Sequence, residues 1–180
     1  MKSSIILFLA VCFLATSCGD NTSYNTRENK PEKKETPAKE ETPEEETPAI
    51  DPADIPKEVT IELGSDDYMK FDKKEIRVYE GQKVTVNLTH TGKMPESAMG
   101  HNFVLLKAGT EMIEFALNAA AAVNNDYIPV DSKDIIAHTE MIGGGESTSV
   151  TFDAPAKGTY DFICSFPAHY SLMKGKFIVQ

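Results

Sequence analysis

The chain has 180 residues, enough for one domain or two small ones, and its 28 acidic and 18 basic residues give a net charge of −10. This balance argues against binding to nucleic acid and against charge-driven binding to anionic membranes, because both need a basic surface. Three cysteines are too few for a disulfide scaffold.

The N-terminus carries a short apolar segment. Lys2 precedes an apolar run over residues 5–14, which is shorter than the roughly 20 residues of a membrane-spanning helix, so residues 1–17 are predicted to be an export signal. Small residues then lead into Cys18, which resembles the bacterial lipobox, where the signal is cut before a cysteine that becomes lipidated. The alternative is an ordinary cleavable signal with an incidental cysteine. A lipidated Cys18 would anchor the exported protein to a bacterial membrane, with its domain in the periplasm or at the cell surface.

Residues 18–56 are predicted to be a disordered, acidic, proline-rich tether that starts at the lipidated cysteine. Six of the ten prolines lie there, with eleven acidic and five basic residues and almost no large apolar side chains. Proline stiffness and charge repulsion favour an extended chain, with a reach on the order of 100 Å at about 3.1 Å per residue.

The pattern changes from residue 57 onward. Alternating apolar and polar residues separated by turn residues predict an all-β, antiparallel sandwich over residues 57–180. The predicted strands cover residues 59–63, 75–79, 83–88, 102–106, 149–152, 159–163 and 176–179. One helix is predicted between them, capped by Thr110 and running from Glu111 to about Val123.

The third cysteine indicates a metal site. Cys12 leaves with the signal and Cys18 is predicted to carry lipid, so Cys164 is alone in an exported domain. His169 and Met173 follow it on one short loop, and a thiolate, an imidazole and a thioether are ligands of a blue-copper site that also needs a second imidazole. His101, at the entry to a predicted strand, is the candidate. The alternative is a buried structural cysteine beside an incidental histidine.

From about Val59 to Gln180 the sequence resembles azurin, a family of bacterial cupredoxins. The resembling segments are residues 67–71, 84–90, 99–105, 136–139, 149–153 and 164–175. Three features depart from the family pattern. Neither cysteine of the azurin disulfide is present, Phe103 replaces the core tryptophan of many azurins, and Ala168 replaces the glycine before the loop histidine.

The resemblance implies a Greek-key, cupredoxin-like sandwich that holds one copper ion in a type 1 site. It implies that His101, Cys164 and His169 form a trigonal plane, that Met173 is a long axial ligand, and that the Gly100 carbonyl approaches from the opposite side. Two groups of residues complete the expected site. Asn102 and Ser165 are expected to tie the two ligand loops together. An apolar patch for docking redox partners is expected around His169, formed by Met69, Met94, Met99, Phe166 and Ala168.

The remaining histidines carry less information. His90 is predicted to make a hydrogen bond near the core, with a redox-linked titration as the less favoured alternative, and His138 is predicted to be a surface or turn residue without a function. The predicted function is electron transfer by Cu(II)/Cu(I) cycling between membrane-associated or periplasmic redox proteins, for example c-type cytochromes or respiratory complexes. No enzymatic activity, small-molecule substrate or nucleic-acid partner is expected. The alternative is a copper-binding module for delivery or storage, which the lack of Met-rich or His-rich tracts in the tether disfavours.

Overall fold

The computed structural model describes residues 54–180. The predicted export signal, the lipidation site at Cys18 and nearly all of the predicted tether lie outside these residues. Within residues 54–180, no helix combines the length and the apolar character needed to cross a bilayer.

Two β-sheets pack face to face. Their strands, in chain order, are β1 (Glu58–Asp66), β2 (Lys70–Phe71), β3 (Glu75–Val78), β4 (Lys83–His90), β5 (Val104–Leu106), β6 (Ile135–His138), β7 (Ser147–Asp153), β8 (Gly158–Ile163) and β9 (Lys174–Val179). One sheet has the order β2-β1-β4-β7 and the other β3-β9-β8-β5-β6. The predicted all-β sandwich is therefore confirmed.

The core lies between the sheets because the strands alternate apolar and polar residues. In β4, Val84, Val86 and Leu88 are fully buried, while the residues between them are partly exposed. Phe103, the residue that departs from the family's tryptophan, is fully buried, and its ring centroid lies 5.5 Å from that of Phe162. A phenylalanine pair therefore packs the core at this position.

The strand directions correct the sequence prediction of a wholly antiparallel sandwich. β1 pairs with β4 in parallel, and β3 pairs with β9 in parallel, whereas the other pairings are antiparallel. The chain crosses to the other sheet between β1 and β4, so these two strands can lie side by side in the same direction. Alternation predicts which face of a strand is buried and carries no information on its direction.

The helical segments also differ from the prediction. A short helix, α1 (Glu96–Met99), was not predicted, and the predicted helix is shorter, with α2 spanning Met112–Ala120. The residue that caps α2 is Glu111, which makes no side-chain capping hydrogen bond, so the predicted capping role of Thr110 is wrong. The chain then passes through a 3₁₀ turn, Val123–Asn125, instead of continuing the helix.

Helix α2 lies against the outer face of the five-stranded sheet. Phe115 and Ala119 pack there with Val104, Leu106 and Ile163 in a second apolar cluster. This covers the outward side chains of β5 and β8, whose inward side chains belong to the main core. Strand β5 is therefore buried on both faces, and β8 is buried on both faces at Phe162 and Ile163, the end that leads into Cys164.

Candidate metal centre

Two chain segments meet at one end of the sandwich and bring the predicted ligands together. Cys164 follows β8 directly, and its N–H donates to the Met173 carbonyl at 3.0 Å, which closes the loop between them. His101 exchanges two backbone hydrogen bonds with Ile142, at 3.0 and 2.9 Å. Backbone pairing therefore fixes the main chain at Cys164 and at His101.

Three donor atoms converge within this end. The Cys164 Sγ lies 3.7 Å from His169 Nδ1 and 3.9 Å from His101 Nδ1, and the three donors all lie within 4.8 Å of one another. Metal bonds of about 2.1 Å to nitrogen and 2.3 Å to sulfur that meet at 120° would separate their donors by about 3.8 Å. The spacing fits one metal ion, and a thiolate with two imidazoles is the trigonal donor set of blue-copper centres. Met173, fully buried, packs in the same apolar core as Cys164.

Burial controls the protonation of the three donors. It raises the pKa of the Cys164 thiol to about 12, and the backbone N–H groups of Asn102 and Phe166 oppose this by a smaller amount. It lowers the pKa of both His101 and His169 to about 4. At neutral pH the metal-free protein therefore holds two neutral imidazoles, ready to bind a metal, and one protonated thiol.

The ring of His101 is oriented from outside the site. Its Nε2 donates to the backbone carbonyl of Asp66 at 2.9 Å, so in the neutral ring Nδ1 carries the lone pair and faces the sulfur. Such a hydrogen bond fixes both the tautomer and the ring orientation of a metal-binding histidine.

Asn102 and Ser165 link the two ligand-bearing segments. The Asn102 side chain accepts from the Ser165 N–H at 2.9 Å and donates to the Ser165 hydroxyl at 2.8 Å. Both residues are buried and each is adjacent to a predicted ligand, His101 or Cys164. The paired bonds hold the histidine segment against the cysteine loop without involving a metal.

Gly100 lies where the surrounding atoms leave no room for a side chain. A Cβ there would lie 2.7 Å from the Glu96 carbonyl oxygen and 3.0 Å from the Met141 side chain. Its carbonyl oxygen lies 3.8 Å from Cys164 Sγ. Any side chain at this position would therefore push the segment away from Glu96 and Met141 and shift the carbonyl that faces the sulfur.

The loop histidine follows a strained residue. Ala168 has φ +68°, the left-handed conformation that glycine adopts without strain, and the chain then enters a 3₁₀ turn, His169–Ser171. The Phe166 ring centroid lies 4.5 Å from that of His169. His169 is 4% exposed, whereas His101, Cys164 and Met173 are fully buried, so it is the one of these four residues that retains exposed surface.

Comparison with known proteins identifies the family. The sequence profile described as copper binding proteins, plastocyanin/azurin family, matches residues 57–180. The chain belongs to this family. Azurin-1 of Alcaligenes xylosoxydans xylosoxydans is 45% identical over 122 residues, which cover 66% of this chain and 95% of the relative. Outer membrane protein H.8 of Neisseria gonorrhoeae is 44% identical over 116 residues, 62% of each chain.

Solved structures agree with this assignment. Dithionite-reduced auracyanin of Roseiflexus castenholzii has a TM-score of 0.62 and 40% identity, covering 67% of this chain and 96% of that chain. Auracyanin A of Chloroflexus aurantiacus, described as a "blue" copper protein, has a TM-score of 0.63 and 39% identity, covering 68% and 99%. The predicted resemblance to azurin, the cupredoxin sandwich and the copper cofactor are confirmed.

In this member of the plastocyanin/azurin family, the predicted docking residues differ in exposure. Ala168 is exposed and Met94 is 38% exposed, whereas Met69, Met99 and Phe166 are partly buried. The loop that carries Met94 is fixed by Asp67, whose carboxylate accepts from the Met94 N–H at 3.2 Å and from that of the preceding residue at 2.9 Å. These hydrogen bonds lower the pKa of Asp67 and keep it charged.

The other two histidines lie where the sequence suggested. His90 is fully buried and accepts from the Gly92 N–H through Nδ1 at 3.0 Å, so its Nε2 donates to the Met99 carbonyl at 3.0 Å. The predicted hydrogen-bonded histidine near the core is confirmed, and its ring stacks on that of His101 with centroids 4.3 Å apart. His138 is exposed at the end of β6, a strand that the sequence analysis did not predict.

The sequence analysis did not identify three groups that help to build the site. The Asp66 carbonyl orients His101, the Asp67 carboxylate holds the Met94 loop, and Met141 packs beside Gly100. A backbone carbonyl has no sequence signature, since every residue carries one. Asp67 and Met141 act on partners 26 or more residues away in the sequence, and no local motif reports such contacts.

Proposed function

We propose that the protein is a blue-copper electron carrier that exchanges single electrons with other redox proteins and catalyses no reaction of its own. Copper, when bound, accepts and releases one electron as it alternates between Cu(II) and Cu(I). The observation that carries the proposal is the buried donor set, with Cys164 Sγ 3.7 and 3.9 Å from the Nδ1 atoms of His169 and His101.

The proposed ligands have separate roles. His101, Cys164 and His169 would hold the copper as its strong donors, and the Met173 thioether and the Gly100 carbonyl would be the weak ones. Thiolate and thioether sulfur favour Cu(I), whereas imidazole accepts both oxidation states. Four of the five positions are thus side chains, and burial keeps water away from them.

The surrounding hydrogen bonds support fast electron transfer. The His101 ring is held by the Asp66 carbonyl and the two ligand segments are tied by Asn102 and Ser165, so these bonds would oppose rearrangement when the oxidation state changes. Little rearrangement means a small barrier for each electron.

We also propose that electrons pass through the exposed edge of His169. Ala168, Phe166, Met69, Met94 and Met99 form the apolar docking patch, which suits brief contact with partner proteins such as c-type cytochromes or respiratory complexes. An apolar patch excludes water at the contact.

Kinetics of a charged variant test this route. Met99→Lys should slow electron transfer by about tenfold or more, equivalent to roughly 1.4 kcal/mol of barrier, because a charge in the patch must be desolvated on docking. The visible spectrum should change little, since Met99 is not a ligand. The control is Thr159→Lys, an exposed site at the start of β8, the strand whose other end leads to Cys164. Equal rates in the two copper-loaded variants would place docking elsewhere.

We further propose a three-part organisation: an export signal over residues 1–17, a lipid-anchored tether over 18–56 and the copper domain over 57–180. The presence of an outer membrane protein, H.8, among the relatives supports a membrane location. In a bacterial host the wild-type protein should fractionate with membranes and begin at Cys18, whereas Cys18→Ala should remain uncut or become soluble. A soluble wild-type protein that begins elsewhere would reject the anchor.

A further inference from the structure

Acidic residues outnumber basic ones in the copper domain, yet the charge beside the loop from Cys164 to Met173 is positive. Residues 57–180 contain 17 acidic and 12 basic side chains. A small area of the surface, formed by Lys74, Leu172 and Lys174, carries positive charge instead. We call these three residues the lysine face.

The lysine face adjoins the loop that carries the predicted ligands. The Lys74 Nζ donates to the Leu172 carbonyl at 2.8 Å, across 98 positions of sequence. The Leu172 N–H in turn donates to the His169 carbonyl at 3.0 Å. Lys174 begins β9 and pairs with Ile163, the residue before Cys164. The Lys74 ammonium is therefore fixed against the copper-binding loop, and the Lys174 backbone lies beside the strand that leads to Cys164.

Neighbouring carboxylates do not cancel these two charges. Asp72 pairs with Lys73 at 3.2 Å, Glu75 with Arg77 at 2.7 Å, and Asp161 with Lys176 at 2.6 Å. Lys74 and Lys174 are exposed, and neither has a carboxylate within 4.0 Å among residues 54–180. The local balance is two unpaired positive charges beside an apolar side chain, Leu172, that is 53% exposed.

We propose that the lysine face docks an acidic surface of the redox partner, so that carboxylates of that partner meet Lys74 and Lys174 while an apolar side chain covers Leu172. This inference rests on the proposed electron-carrier function and names the chemistry of its partner. Opposite charges on two surfaces steer encounters and select an orientation. Here the selected orientation brings the partner against the turn that contains His169.

Two variants with the same change in net charge separate this local effect from the charge of the whole protein. Lys174→Glu alters the lysine face. Lys157→Glu, the control, alters the residue just before β8, at the end of that strand away from Cys164. A strand of six residues at about 3.3 Å each separates the two ends by about 20 Å. Both lysines are exposed and neither is a predicted ligand, so the visible spectrum and the reversible redox titration of each variant should match the wild type.

The probes are two forms of one redox protein with opposite charge: native cytochrome c, which is basic, and cytochrome c whose lysines have been succinylated, which is acidic. At about 10 mM ionic strength, where the screening length is about 30 Å, Lys174→Glu should slow transfer with the acidic form at least about threefold. The same variant should speed transfer with the native basic form. Lys157→Glu should change either rate by less than half as much, and the differences should fade at about 0.5 M salt. Lys74→Glu should act like Lys174→Glu.

The outcomes distinguish a failure of the electron-carrier proposal from a failure of the docking inference alone. If the copper-loaded wild type lacks a thiolate-to-copper colour, the electron-carrier proposal is wrong and this inference is wrong with it. If the protein is coloured and redox-active but Lys174→Glu and Lys157→Glu give equal rates with the acidic cytochrome, the lysine face is not the docking surface and the carrier proposal stands.

Discussion

Ala168 is the residue whose replacement should stabilise the protein. Its φ of +68° is the left-handed conformation, which costs an L-residue roughly 1–2 kcal/mol relative to glycine. Glycine in turn makes the unfolded chain more flexible, which costs about 0.4–1 kcal/mol. The side chain is exposed, so losing its methyl group removes little packing. Ala168→Gly should therefore raise the free energy of unfolding by about 0.5–1 kcal/mol, equivalent to about 2–5 °C in Tm.

Urea unfolding of the metal-free protein measures this difference without the added stability that a bound metal gives. Ala121→Gly is the matched control, because Ala121 is also exposed but has an ordinary right-handed conformation at the end of α2. It should lower the free energy of unfolding by up to about 1 kcal/mol. If Ala168→Gly destabilises the protein as the control does, then the left-handed conformation at residue 168 is wrong or carries no strain.

Two further predictions follow from the pKa values of the donors. Binding of Cu(II) near pH 7 should release about one proton per metal, because the Cys164 thiol with a pKa of about 12 must lose its proton while both imidazoles, with pKa values of about 4, are already neutral. An indicator dye measures the release, and two or more protons would contradict the neutral histidines. The free energy of unfolding of the metal-free protein should also fall as the pH falls from about 6.5 to about 4. In that range the unfolded chain binds protons that the folded site excludes, and the loss is up to about 3 kcal/mol for each histidine. Urea titrations across this range measure the loss, and His101→Gln should reduce the slope by about half, because His169 still contributes. A flat wild-type profile would show that the imidazoles are not shielded.

The sequence was most informative where the chemistry is local. Cys164, His169 and Met173 lie within ten residues of one another, and their donor types alone indicated copper before any fold was known. The strand pattern in β4 and β7 was equally readable, because alternation records which side chains face the core.

The sequence was least informative where distant backbone groups interact. The parallel pairing of β1 with β4 depends on the path of the chain between sheets, and the orientation of His101 depends on a carbonyl 35 positions away. Strand β6 has consecutive apolar residues instead of alternation, so the period-two rule missed it. Ala168 stood out only as a departure from the azurin pattern, and its left-handed conformation became visible in the structure.

The central claim is that Cys164 supplies a thiolate to one copper ion, and the visible absorption spectrum of the Cu(II)-loaded protein tests it most directly. The wild type with one equivalent of Cu(II) should show a strong sulfur-to-copper charge-transfer band, which dithionite bleaches and reoxidation restores. Cys164→Ser should lack the band, while Ser165→Ala, one residue away, should keep it. A wild-type protein that binds Cu(II) without this band, or a Cys164→Ser variant that retains it, would contradict the account.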